Sequence, residues 1–98
     1  RVKDYRKAQL LLEPIIKGRS ASKNTQVKLK ALKALGQVHE KKSEHELAFR
    51  YYSKALKIEE DTSTRLSAAE TAWTLQYYKN TQWLLEPLIQ KGTLDDEQ

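Results

Sequence analysis

"HELAFRYYSKALKIEED" (45–61) lies between two stretches that nearly repeat each other, "DYRKAQLLLEPIIKG" (4–18) and "YYKNTQWLLEPLIQKG" (77–92). In all three, apolar residues recur at steps of three and four, which lines one face of an α-helix. Tyr5, Ala8, Leu12, Ile15 and Ile16 form the stripe of the first stretch, and Gly18 is its stop signal. Ala48, Tyr52, Ala55 and Leu56 form the stripe of the middle stretch. Ser43 reads as its cap, with Glu46 at the capping-box position. Leu84, Leu85, Leu88 and Ile89 face one way in the last stretch, which Asn80 precedes.

Two more stripes fill the gaps. Val27, Ala31, Leu35, Val38 and His39 define one helix, after the small polar loop 18–24. Leu66, Ala69, Ala72 and Trp73 define another, with Ser63 or Thr64 as its cap after the turn 59–64. No segment alternates with the period of two that a half-buried strand needs. The expectation is an all-α chain of five helices. Pro14 and Pro87 stand at matching places in the two "LLEP" phrases, so an interruption at the same point of two units reads as a shared structural device.

Composition sets outer bounds. The chain has 98 residues, 39% hydrophobic and 32% charged, enough for one domain of amphipathic helices facing one another. It opens at Arg1 and contains no Met, which reads as a piece of a longer protein. With no Cys there is no disulfide and no thiolate chemistry, which suits a reducing, intracellular setting in cytoplasm or nucleus. The longest apolar run, Leu10 to Leu12, is far short of a membrane span. The net charge of +5 is lopsided: residues 1–49 hold 12 Lys/Arg against 5 Asp/Glu, and residues 50–98 hold 6 against 8. Such a bias suits an acidic partner or a solvated face.

The phrases fall into a register. Aligning Ala48 with Thr81 gives a period of 33 residues, and aligning Ala8 with Ala48 gives 40, with the surplus in the loop 18–24. A two-helix unit of this length, carrying "ALGQVHEKKSEHELAFRYYSKAL" (34–56), resembles the tetratricopeptide repeat (TPR). Leu32 matches the family's first large residue, Leu35-Gly36 its Leu-Gly pair, Ala48 its small residue, Tyr52 its aromatic and Ala55 its second small residue. In the third unit Ala68-Ala69 replace the Leu-Gly pair, Thr81 takes the small position, and Leu85 and Leu88 follow. The resemblance implies a right-handed α-solenoid of antiparallel helix pairs, about two and a half repeats long. Residues 1–92 would form the repeat array: 4–18 the second helix of a first repeat, 29–61 the second repeat, 62–92 the third. Residues 93–98 would be a flexible acidic tail.

Catalytic chemistry is not expected. His39 and His45 are six apart, on different helical faces, unlike the four-apart pair of zinc sites, and packing is the commoner role for both. The three glycines stand singly, so no phosphate loop is present, and nothing joins Glu13 to Glu86 as an acid/base pair. The reading is a non-enzyme without cofactor or metal. The resemblance implies instead a concave groove, lined by the first helices of the units, that binds a partner peptide as part of a larger protein or complex. Its positions here are Lys30, Lys33, Gln37, Glu40 and Lys41 from one helix and Leu66, Glu70, Trp73 and Thr74 from the next. A protein segment with acidic and apolar residues would fit them. Gln37 and Ser67 stand where a carboxylate-clamp subset of the family has Asn, so that mode of tail binding is not expected. Two alternatives are nucleic-acid binding by Lys23, Lys28, Lys30, Lys33, Lys41 and Lys42, and a purely structural solenoid segment. Aromatic residues that stack on bases do not interleave with those lysines.

Overall fold

The computed structural model describes residues 2–17 and 23–90. Among them the chain is all-α, with no strand: α1 (Val2–Ile16), α2 (Thr25–Lys41), α3 (His45–Ile58), α4 (Thr62–Thr74) and α5 (Tyr78–Gln90). Each helix packs chiefly on its neighbours in sequence, and the molecule is elongated, 47 × 28 × 19 Å. Three-residue links between α2, α3, α4 and α5 leave each helix no course but to fold back on the one before. The expected stop at Gly18, most of the loop 18–24 and the tail 93–98 lie outside the described residues.

The apolar stripes close into two core clusters joined through α3. Leu29, Leu32 and Leu35 of α2 meet Tyr51 and Ala55 of α3, with Leu12 and Ile16 of α1 against them. On the other side of α3, Ala48 and Tyr52 meet Ala68, Ala69 and Ala72 of α4 and Leu84 of α5. α4 is thus an alanine-faced helix, small enough to lie close against an aromatic partner. Gly36 serves the same end on α2. A Cβ placed there would come within 2.6 Å of Tyr52 Cε1, so only Gly lets the ring sit where it does. The α2 stripe differs from expectation at its start: Val27 is exposed, and Leu29 and Leu32 take the buried places. The rest of the stripe, Ala31, Leu35, Val38 and His39, is buried as expected. Trp73 and Ile89 likewise leave their stripes for the surface.

Three helix starts correct the sequence reading. Ser43 is not the cap of α3. It adopts a φ of 63°, and Glu44 precedes the helix without a side-chain cap bond. α4 is capped by Asp61 rather than Ser63 or Thr64; its carboxylate accepts the Thr64 N–H at 2.9 Å and the Thr64 hydroxyl at 2.7 Å. An aspartate carries a full charge to the positive end of the helix, which a hydroxyl does not. Asn80 lies inside α5, which begins at Tyr78. Asn24, not singled out in the sequence, caps α2 by accepting from the N–H groups of Gln26 and Val27.

Ser43 is better understood beside Gln76, which among the described residues is the other non-glycine residue with positive φ, at 66°. After α2, the N–H of Ser43 bonds the Glu40 carbonyl and that of Glu44 the His39 carbonyl. After α4, the N–H of Gln76 bonds the Trp73 carbonyl and that of Tyr77 the Ala72 carbonyl. Every atom pair in the second turn lies 33 residues after its counterpart in the first. Both are Schellman turns, with a left-handed residue closing the helix. The period read from side chains is therefore also present in the backbone.

Candidate functional site

The nine expected groove residues separate into two groups. Leu66, Glu70, Trp73 and Thr74 of α4 come together with Ala69 and with Thr81 and Leu85 of α5, around a groove of about 400 Å³. Trp73 forms its rim. The indole is 63% exposed and meets the Tyr78 ring edge-on at 5.4 Å, so it is braced on one side without being buried. Leu66 and Leu85 are partly covered, Ala69 and Thr81 form the buried floor, and Glu70 is the charge on the lining. Thr74 turns its hydroxyl back to the Glu70 carbonyl at 3.0 Å, which leaves its methyl for the groove.

The α2 group has other engagements. Lys33 pairs with Asp61 at 3.4 Å, linking the α2 surface to the capped start of α4. That lysine and, before it, the two bonds from Thr64 hold the Asp61 carboxyl below its usual value. Glu40 accepts the Tyr52 hydroxyl at 2.6 Å. Burial first, and this carboxylate second, push the Tyr52 phenol well above its ordinary range. Gln37 and Lys41 line a second, smaller groove of about 260 Å³, with Tyr5, Ala8, Leu12, Ala34 and Val38. Lys30 is exposed. Lysine and tryptophan halves therefore do not form one continuous pocket.

His39 lies inside the packed interior. His39 is 2% exposed, stacked on Tyr51 at 5.4 Å, with Nδ1 at 2.6 Å from Glu44 Oε1. Nε2 has no hydrogen-bond partner among the described residues. Nδ1 is placed to donate to that carboxylate. The His39 bond is the main reason the Glu44 carboxyl sits below its usual value. Among the described residues no group of His, Asp or Glu could hold a metal ion, and no helix is long and apolar enough to cross a membrane.

Sequence reasoning passed over Arg65. It occupies the place of Leu32 one unit later, yet it is almost wholly buried. Nε and Nη2 bond both oxygens of Glu60, and Nη1 donates to the carbonyls of Leu84 at 3.0 Å and Trp83 at 3.3 Å. Trp83 lies four residues before Pro87, which has no N–H to offer that carbonyl. Arg65 supplies the missing donor, and its guanidinium also lies over the Trp83 ring, 4.8 Å from the centroid. The signal was legible: a proline inside a helix predicts an orphan carbonyl four residues earlier, and an arginine at a core position of the neighbouring helix answers it.

No protein-family model, curated protein or solved structure matches the chain.

Proposed function

We propose that this chain is a protein-interaction module, a tetratricopeptide-like solenoid segment without catalytic activity that receives a partner segment in the groove on α4 and α5. The observation that carries the reading is the braced, exposed Trp73 beside Leu66 and Leu85 in a groove of about 400 Å³. An aromatic anchor at the edge of an apolar recess is the arrangement on which interface energy concentrates. The 33-residue backbone period and the packing of each helix on its neighbours support the solenoid part of the reading. Lys30 and Lys41, both exposed, would favour acidic residues in the part of the partner that runs toward α2. A nucleic-acid role has less support, because Lys33 and Lys42, two of its six lysines, are in ion pairs with Asp61 and Glu44. An intracellular setting belongs to the same proposal.

The test places a photo-crosslinking residue at position 73 and, as a control, at Arg50, which is exposed on α3. In nuclease-treated extract a protein adduct should form from position 73 and not from position 50, and Leu85→Glu should abolish it. Equal adducts at both positions, or adducts that vanish with nuclease, would overturn the reading.

A further inference from the structure

The groove on α4 and α5 has a twin inside the molecule. Moving each lining residue back by 33 converts Leu66, Ala69, Glu70, Trp73 and Thr74 of α4 into Lys33, Gly36, Gln37, Glu40 and Lys41 of α2. Thr81 and Leu85 of α5 become Ala48 and Tyr52 of α3. The twin is not open. α4 lies over it: Ala68, Ala69 and Ala72 cluster with Ala48 and Tyr52, and Asp61 reaches Lys33. A third copy of the face, on α1, is covered in the same way, since Leu12 and Ile16, the counterparts of Leu85 and Ile89, pack under α2. Two occurrences of one surface are thus covered by a helix, and the third is uncovered among the described residues.

The two faces differ in chemistry at most of these places. At the covered face, Lys33 and Glu40 each hold a polar partner, Asp61 and the Tyr52 hydroxyl. At the open face the same places carry Leu66 and Trp73, and Leu85 replaces Tyr52, so three large polar or charged side chains give way to large apolar ones, while Thr81 for Ala48 and Glu70 for Gln37 add a hydroxyl and a charge. The open face thus gathers three large apolar side chains around one carboxylate, a lining suited to an amphipathic partner. Glu70 remains as the charge on the lining and makes no ion pair among the described residues.

We infer that the groove takes an amphipathic α-helix of a partner, with small and aliphatic residues on its contact face and one lysine or arginine set to meet Glu70. The helix lies along the groove as α4 lies along the twin. This rests on the interaction reading above and adds the conformation and charge of the bound segment. The helix α4 seated on the twin selects a helical occupant over an extended peptide, and charge complementarity at Glu70 selects its basic residue.

Three synthetic peptides test it: a helical one with an Ala/Leu face and one Lys on that face, the same with Glu for Lys, and the Lys peptide interrupted by central prolines. Each is titrated into the isotope-labelled chain at low salt and followed by amide and indole chemical shifts. The helical Lys peptide should shift Leu66, Glu70, Leu85 and the Trp73 indole, and bind roughly threefold to tenfold tighter than the Glu peptide. Glu70→Lys should invert that order. Three results would overturn the inference: no saturable shift with any peptide, equal binding by the proline-broken peptide, or an order indifferent to Glu70→Lys. If the position-73 crosslink still traps a partner in that event, the groove reading stands and only the helical, basic occupant is lost.

Discussion

Helices α1 and α5 carry nearly the same phrase, QLLLEPII (9–16) and QWLLEPLI (82–89), and occupy opposite situations. Leu84 of α5 is 2% exposed beneath α4, whereas its counterpart Leu11 on α1 is 75% exposed. Pro87 leaves the Trp83 carbonyl to Arg65 of the adjoining helix, whereas among the described residues no helix adjoins α1 on that side to do the same for Pro14. One sequence pattern has become core in one place and surface in the other. The difference lies in what is stacked against each helix.

The largest effect that could break this comparison is on the two leucines. Leu84→Ala should cost about 2.5–4 kcal/mol, the range for a large-to-small change in a packed interior, and Leu11→Ala less than about 0.5 kcal/mol. Urea unfolding of the two variants measures both. Similar costs would mean that Leu11 is covered in solution and that the two helices are not in different situations.

Arg65 comes next. Arg65→Leu restores the residue type of Leu32 but strands the Trp83 carbonyl, and should cost about 1–3 kcal/mol. In a Pro87→Ala background the alanine N–H can bond that carbonyl, so the cost of Arg65→Leu should fall by about 1 kcal/mol. A double-mutant cycle with no coupling would separate the arginine from the proline and remove the explanation of both.

One unit inward the comparison can be sharpened at Gly36, whose counterpart is Ala69, and at Tyr52, whose counterpart is Leu85. Gly36→Ala should destabilise by about 1–2 kcal/mol, overpacking against the ring outweighing the better helix propensity. Adding Tyr52→Leu, which reproduces the pairing of the third unit, should make Gly36→Ala favourable or neutral. Thermal melts of the four proteins decide it.

The smallest effect concerns the matched turns. Ser43→Gly and Gln76→Gly each relieve a side chain held at positive φ and should stabilise by roughly 0.5–1 kcal/mol, additively because the turns are separate. A gain at one turn only would show that the two backbones are less alike in solution than their hydrogen bonds indicate.

The helices and their period were legible in the chain alone. Amphipathic spacing, the interval between Ala48 and Thr81 and the small residues at Gly36 and Ala48 are local properties, written residue by residue into the chain. The sequence also marked Leu66, Glu70, Trp73 and Thr74 as neighbours, because residues three and four apart on one helix share a face whatever surrounds it. Tertiary structure decided what that face meets. It left Trp73 in the open, engaged Lys33 and Glu40 with Asp61 and Tyr52, and turned Ser43 from a cap into a turn. It also gave a buried arginine to a proline's orphan carbonyl. These outcomes depend on contacts between helices, and α1 and α5 show that one phrase permits more than one of them. The chain encodes the shape of a stripe locally, but its burial is a property of the stack.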